Sequence, residues 1–145
     1  MMPPGVVIHG LDQARLALAM QSPLTLVSGP DAASYAGIAW WRALMRLIGD
    51  EHGPMPDVLD CGANPAQAVE ALRAGCRTLV LAPGPAWVDV ADRARRMGAL
   101  LLGARPPAFD LAQLRPRDAR YHLAAWLRSA NAPASARPIS EGNGT

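Results

Sequence analysis

The sequence predicts an α/β fold built on a parallel sheet, because short apolar segments alternate with alanine-rich amphipathic segments along the chain. Each apolar segment ends in a turn of Gly, Pro, Asn or Asp; the segments are Val6–His9, Leu24–Ser28, Val58–Cys61, Thr78–Ala82 and Ala99–Gly103. Strands that alternate with helical patterns are typical of βαβ units. The continuous apolar character of Leu24–Ser28 indicates a strand buried on both faces, as parallel strands are.

The segments between the strands have apolar side chains at the three- and four-residue spacing of amphipathic helices. We interpret as helices residues 12–20, about 32–48, 64–75, 86–97 and 117–129. Asn64 and Pro65 form a good helix start, since Asn caps free amides and Pro suits the first helical position. Right-handed crossovers then predict a three-layer α/β/α sandwich. We expect four or five mostly parallel strands in a flavodoxin-like topology, the count depending on whether Val6–His9 joins the sheet.

The length of 145 residues predicts one domain, which is long enough to bury a core without disulfides. Half of the residues are hydrophobic and 18% are charged, as in globular domains. We assign residues 1–130 to this domain. Residues 131–145 are rich in Pro, Ser, Gly and Ala, and we expect them to form a disordered tail.

The basic residues exclude two classes of chemistry, because all 14 of them are arginine. A chain without lysine has neither a Schiff-base lysine nor the lysine of a phosphate-binding P-loop. The net charge of +2 is too small to indicate a nucleic acid or an anionic membrane as partner. The arginines near the carboxyl terminus are interpreted as one solvated helix face: Arg115, Arg117, Arg120 and Arg128.

The cysteines and the apolar segments indicate a cytoplasmic protein. Cys61 and Cys76 have no metal-ligand spacing, so we expect no bound metal, and the sequence implies no cofactor. The amino-terminal residues lack the basic and apolar regions of a signal peptide. No apolar segment approaches the length of about 18 residues that a membrane-spanning helix needs.

Polar residues that follow the strands are the candidates for a site, because ligands of parallel α/β sheets bind at the carboxyl ends of the strands. These residues are His9, Asp12, Ser28, Asp31, Ser34, Tyr35, Asp60, Cys61, Asn64, Arg105 and Asp110. No histidine has a spacing to a carboxylate that suggests a zinc site or a catalytic triad.

Asp60 and Cys61 are the candidates for catalysis. Cys61 lies just before a predicted helix, whose dipole lowers the pKa of a thiol. The alternative is that Cys61 is a small buried hydrophobic residue. Asp60 is a candidate base or acceptor, or else a carboxylate bonded to nearby loop amides.

The ligand-binding candidates are Ser28, Gly29, Asp31, Asn64 and Arg105. The turn of residues 28–31 precedes a helix and offers backbone amides to an anion, although Pro30 removes one donor. Arg105 has the geometry to bind an anion through two hydrogen bonds, and the alternative is a surface arginine. Asp31 alternatively caps the helix that follows it.

The helix over residues 32–48 has an apolar surface that covers about half of its circumference, which is wide for a helix on one sheet face. Two explanations are open. Either the carboxyl-terminal helix covers the excess, or Trp40, Trp41 and Leu44 form a homodimer interface. We expect a homodimer, with a further protein partner as a possibility.

The segment Pro56-Asp57-Val58-Leu59-Asp60 is similar to the strand that carries the phospho-acceptor aspartate in the receiver domains of response regulators. The segments Arg105-Pro106 and Phe109-Asp110-Leu111 resemble the end of a receiver domain. This resemblance covers about half of the chain and implies a receiver-like fold with Asp60 at the acceptor position.

This resemblance to receiver domains does not imply phosphotransfer. His9-Gly10 stands where receivers have paired acidic residues, Ala82 replaces a Ser or Thr, and Arg105 replaces a lysine. We therefore expect a non-catalytic α/β module that binds a small ligand or a protein and self-associates. The alternative is a small enzyme that uses Asp60 and Cys61, with Arg105 orienting an anionic substrate.

Overall fold

The computed structural model of the chain describes residues 2–132. The strands are β1 (Gly5–Val7), β2 (Thr25–Val27), β3 (Asp57–Asp60), β4 (Thr78–Val80), β5 (Leu100–Leu102) and β6 (Ala108–Asp110). The helices are α1 (Leu11–Leu18), α2 (Ala32–Tyr35), α3 (Ile38–His52), α4 (Pro65–Arg73), α5 (Trp87–Arg96) and α6 (Pro116–Asn131), with a short 3-10 helix over Leu111–Gln113.

The strands form one sheet in the order β5-β4-β3-β2-β1-β6, and every pair is parallel. The predicted α/β class, a parallel sheet flanked by helices, is confirmed, with six strands where four or five were predicted. β1 pairs with both β2 and β6, so the segment at Val6–His9 does join the sheet. Strands β1 to β5 lie next to one another in chain order, and β6 lies on the other side of β1. The order therefore reverses between β1 and β6.

The predicted helix over residues 32–48 is two helices. Gly37 has a positive φ of 97°, which an L side chain rarely adopts, and it separates α2 from α3. The second helix also continues to His52 and stops at Gly53, whose φ is 84°. The helix predicted to end at about residue 48 therefore continues for four more residues, and Gly49 lies inside α3.

The two faces of the sheet are covered differently. Side chains alternate along each strand, so Val6 and Leu59 face one side while Val7 and Val58 face the other. The first side shares one large apolar cluster with the buried residues of the helices. On the second side, Val7, Val27, Val58 and Val80 form a separate cluster, and within residues 2–132 no buried helical residue belongs to it.

The connection from β5 to β6 joins strands at opposite ends of the strand order through residues 103–107 alone. It begins at the carboxyl end of β5 and finishes at the amino end of β6, where Ala108 is in register with Gly5. A β-carbon on Gly5 would lie 2.9 Å from the Pro107 carbonyl oxygen and from the β-carbon of Ala108. Glycine at position 5 therefore lets this connection pass close to β1.

Two predictions concern the chain beyond the sheet. Most of the predicted tail, residues 133–145, lies outside the described residues. Within residues 2–132, no helix combines the length and the apolar composition needed to cross a bilayer.

Candidate functional site

Arg105 connects the ends of three strands at the carboxyl edge of the sheet. Its Nη1 donates to Asp60 Oδ2 at 2.7 Å, and its Nη2 donates to the Ser28 carbonyl oxygen at 2.8 Å. The Asp60 amide donates to Ser28 Oγ at 2.9 Å, and this hydroxyl donates to the Gly29 carbonyl oxygen. We call the arrangement of Arg105, Asp60 and Ser28 the Arg105 clasp.

The two charged side chains of the clasp, Arg105 and Asp60, form an ion pair with each other. The Asp60 side chain is 6% exposed, and its second oxygen, Oδ1, accepts from the Gly62 amide at 2.7 Å. Both carboxylate oxygens are therefore occupied, as in the alternative in which Asp60 is bonded to loop amides. Arg105 is predicted to bind an anion, but its guanidinium already holds a carboxylate and a carbonyl of the chain. The clasp fixes the position of the loops at this edge.

Cys61 follows Asp60 and faces the opposite side of the sheet, within the large apolar cluster. Its side chain is fully buried, and burial raises the pKa of this thiol to about 12. Reactive cysteines have a lowered pKa and some exposure, so Cys61 has the properties of a buried hydrophobic residue rather than of a nucleophile. Burial also raises the pKa of Cys76 to about 11.

The turns after β2 and β3 contact each other. Asp31 has a φ of 56°, and its Oδ1 lies 2.8 Å from Ser34 Oγ. Gly62 lies against the Asp31 carboxylate, with no space for a β-carbon. Asn64 Oδ1 accepts from the amides of residues 66 and 67, so the predicted cap of α4 is confirmed and its side-chain oxygen is used within the helix.

The structure brings together a histidine and a carboxylate that sequence spacing did not connect. His9, after β1, has its Nε2 at 2.9 Å from Oδ1 of Asp110, the last residue of β6. The two residues are 101 positions apart, and they meet because β6 pairs with β1. Their side chains are 33% and 24% exposed. Asp110 Oδ1 also accepts from the Ala112 amide at 2.9 Å, which fixes the carboxylate.

Tyr35 completes this group of side chains. A β-carbon on Gly29 would collide with the Tyr35 hydroxyl and would lie 3.1 Å from His9 Nδ1. The phenol and the imidazole therefore meet over the backbone of Gly29, and no larger residue fits there without displacing them. Tyr35 is 66% exposed, so this side of the group is open to solvent. The His9–Asp110 pair lies where the strand order reverses, the position at which open α/β sheets bind ligands.

The three residues predicted for a dimer interface lie in different environments. Trp41 is fully buried, and its indole Nε1 donates to Asp57 Oδ2 at 2.8 Å. Leu44 is also buried in the core of its own chain. Trp41 and Leu44 pack inside their own chain and are therefore not available for a contact between subunits. Trp40 is partly exposed, with its ring centroid 5.9 Å from that of Trp41.

A groove of about 1000 Å³ lies at the opposite, amino edge of the sheet. Its lining is mainly apolar and includes Pro3, Pro4, Pro106, Pro107 and Trp126. The Trp126 indole Nε1 donates to the Gly5 carbonyl oxygen at 3.2 Å, so its one donor is occupied. The two edges thus differ in character: charged and polar groups gather at the carboxyl edge, and prolines gather at the amino edge.

In comparisons with known proteins, no family model and no curated protein matches this chain. Among residues 2–132, no three or more His, Cys, Asp or Glu side chains are grouped so as to hold a metal ion.

Proposed function

We propose that this chain is a binding module that takes a small polar ligand at the carboxyl edge of its sheet. The observation that carries the proposal is the convergence there of side chains from the ends of distant strands. His9, Gly29 and Asp110 meet beside the reversal of strand order, and the Arg105 clasp lies next to them. Such convergence at a reversal is the general location of ligand sites in parallel α/β sheets.

The hydrogen bonds among the polar groups at this edge support a site that is formed before a ligand binds. The Arg105 clasp holds the loops after β2, β3 and β5 through hydrogen bonds of 2.7–2.9 Å. The His9–Asp110 pair holds the ends of β1 and β6 together in the same way. Most small-molecule sites are largely formed before the ligand arrives, with a few polar groups that set its orientation. The groups of this kind are Tyr35 and His9, which are exposed, and Asp110, which is half-buried.

The alternative of an enzyme that acts through Asp60, Cys61 and Arg105 has less support. Asp60 and Arg105 neutralise each other, and the Cys61 thiol is buried on the other side of the strand. These observations favour a binding role for the edge and give Asp60 and Arg105 a structural part in it.

The test is to map the binding of three small probes of different charge by NMR. The ¹⁵N-labelled chain is titrated separately with phosphate, acetate and ethylammonium, and amide chemical shifts are followed. We expect at least one probe to give saturable shifts at Gly10, Gly29 and Gly62. Shifts confined to Gly5, Thr25 and Trp126 in the amino-edge groove, or no saturable shift with any probe, would contradict the proposal.

A matched pair of variants sharpens this test. Tyr35→Ala removes an exposed phenol from the site, whereas Tyr121→Ala removes a phenol of similar exposure from α6. We expect the first variant to weaken the binding of the probe and the second to leave it unchanged. Equal effects of the two variants would indicate binding elsewhere on the surface.

Self-association through the outer face of α3 is a separate proposal. Trp40 is partly exposed and Leu47 is 42% exposed, and residues seven apart lie on the same face of a helix. Sedimentation equilibrium tests it: Leu47→Glu is expected to shift a dimer toward monomer, while Arg46→Glu, on the neighbouring position, is not. A monomeric parent chain at every concentration would remove this proposal.

A further inference from the structure

We propose that His9, positioned by Asp110, is a general acid–base residue and that the carboxyl edge hydrolyses small uncharged carboxylic esters. This inference depends on the proposed site at that edge and adds a reaction to it. It comes from three observations made within residues 2–132: an oriented imidazole, an imidazole nitrogen without a hydrogen-bond partner there, and an unpartnered phenol beside it.

The hydrogen bond to Asp110 sets the tautomer of His9. An ionised carboxylate only accepts hydrogen bonds, so Nε2 carries the proton and Nδ1 carries a lone pair. The backbone amide of His9 donates to Gln13 Oε1 at 2.8 Å, which holds the residue at the start of α1. Within residues 2–132, Nδ1 has no hydrogen-bond partner. Orientation of one imidazole nitrogen by a carboxylate leaves the other free to take a proton, as general base catalysis requires.

The Tyr35 hydroxyl provides a neutral hydrogen-bond donor next to this base. It has no hydrogen-bond partner in the described part of the chain, and it meets the imidazole over Gly29. A phenol donates to a carbonyl oxygen that becomes negative as a tetrahedral intermediate forms. The base and the donor are therefore both within reach of one small substrate.

The charges around this position select the class of substrate. Asp110 and Asp31 lie at the same edge as His9, and the Arg105 guanidinium at this edge is held by Asp60. An anionic substrate such as a phosphate ester would face these two carboxylates, while Arg105 is already paired. An uncharged carboxylic ester avoids this repulsion.

Water is the nucleophile in this scheme. Ser28 Oγ is buried and hydrogen-bonded to backbone groups, and the Cys61 thiol is buried on the helix side. His9 Nδ1 takes a proton from a water molecule as its oxygen bonds to the carbonyl carbon, and the carbonyl electron pair moves to the oxygen that Tyr35 binds. The pair then returns, the bond from carbon to the leaving oxygen breaks, and His9 gives its proton to that oxygen.

The test is the hydrolysis of 4-nitrophenyl acetate by the full chain, followed by the release of 4-nitrophenolate. We expect His9→Gln to lower the second-order rate constant by at least about tenfold, since positioned bases contribute factors of roughly 100 or more. Glutamine keeps an amide N–H that reaches Asp110, so this variant retains the contact between β1 and β6. Tyr35→Phe is expected to lower the rate about threefold.

Histidines elsewhere in the chain give the matched controls. His52 ends α3 and His122 lies in α6, away from the carboxyl edge, and His52→Gln and His122→Gln are expected to leave the rate unchanged. If these variants lose as much activity as His9→Gln, or if His9→Gln retains the parent rate, the inference is overturned. Circular dichroism of each variant shows that the comparison is made between folded chains.

Asp110 is a positioning residue, and its readout is the effect of a substitution on kcat compared with its effect on KM. Because the Asp110 carboxylate orients the imidazole through Nε2, Asp110→Asn is expected to lower kcat and to leave KM unchanged. An unchanged kcat would overturn this role of Asp110. Probe binding without ester hydrolysis removes this inference alone, whereas the absence of both also removes the proposed site.

Discussion

The two aspartates of β3 lie three positions apart and have different partners. Asp57, at the amino end, faces the helices and accepts a hydrogen bond from the indole of Trp41. Asp60, at the carboxyl end, faces the opposite side and is paired with the guanidinium of Arg105. Because strand side chains alternate, residues at odd spacing reach opposite faces of the sheet. One short segment, Asp-Val-Leu-Asp, thereby supplies a neutral contact to the core and a charged contact to the site.

The difference between these partners is visible in the pKa of Asp57. Burial raises the pKa of this carboxyl, and the hydrogen bond from Trp41 and the charge of Arg42 oppose that change without cancelling it. An indole N–H stabilises a carboxylate less than a full positive charge does. The amino end of β3 thus tolerates an imperfectly stabilised carboxylate, whereas the carboxyl end supplies a counter-charge.

The largest expected effect concerns Cys61, which neighbours Asp60 but lies on the Asp57 side of the strand. A pKa of about 12, against the ordinary 9.0, lowers the thiolate fraction near neutral pH by about a thousandfold. We expect the thiol of a Cys76→Ala variant to react with Ellman's reagent at least about a thousandfold more slowly when folded than when unfolded in urea. Rapid reaction of the folded chain would contradict the assignment of Cys61 to the core.

The next largest effect is expected from removing the charged partner of Asp60, at the carboxyl end of β3. Arg105→Met leaves the nearly buried Asp60 carboxylate without its cation, and we expect a loss of roughly 3 kcal/mol in the free energy of unfolding. Urea denaturation measures it. Arg95→Met, which removes an exposed pair with Asp92, is the control and is expected to cost less than about 1 kcal/mol. The double variant Arg105→Met with Asp60→Asn should recover part of the loss.

A smaller effect is expected from removing the neutral partner of Asp57, the indole of Trp41, at the amino end of β3. Trp41→Phe removes the indole N–H from Asp57 and leaves space in the core, at a cost of about 2 kcal/mol by analogy with other large-to-small changes. It should also raise the pKa of Asp57 further, which the pH titration of the carboxyl carbon by NMR detects. A pKa that falls or stays constant would show that the indole does not favour the carboxylate.

The smallest effect is a pH dependence caused by Asp57. Its pKa is raised in the folded state, so the folded chain holds this proton more tightly than the unfolded chain. The contribution of Asp57 to stability is therefore greatest below its unfolded pKa, near 4, and is lost as the pH rises through the folded pKa. We expect the stability of the parent chain relative to Asp57→Asn to fall over this range. Asp89→Asn, an exposed change on α5, should show no such trend.

The fold was predictable from sequence where a strand is a continuous apolar segment. β6 was missed because Ala108, Phe109 and Asp110 follow two prolines and have no such pattern. The helix with two adjacent tryptophans also could not be oriented from sequence alone. Neighbouring positions on a helix are 100° apart, and either Trp40 or Trp41 could lie at the centre of the apolar face.

The site was predictable in part. Ser28, Asp60 and Arg105 were identified as residues that follow strands, and parallel strands bring such residues to one edge. Their mutual hydrogen bonds depend on the path of the connection after β5, which no local pattern specifies. The contact between His9 and Asp110 depends on the pairing of β6 with β1, a long-range feature that sequence spacing does not contain.

The short connection between β5 and β6 has a consequence for the shape of the sheet. From Leu102 to Ala108 the chain can extend at most about 21 Å. In a flat six-stranded sheet, the outermost strands would lie about 24 Å apart. The sheet is therefore coiled, and its two outer strands approach each other around the four buried valines.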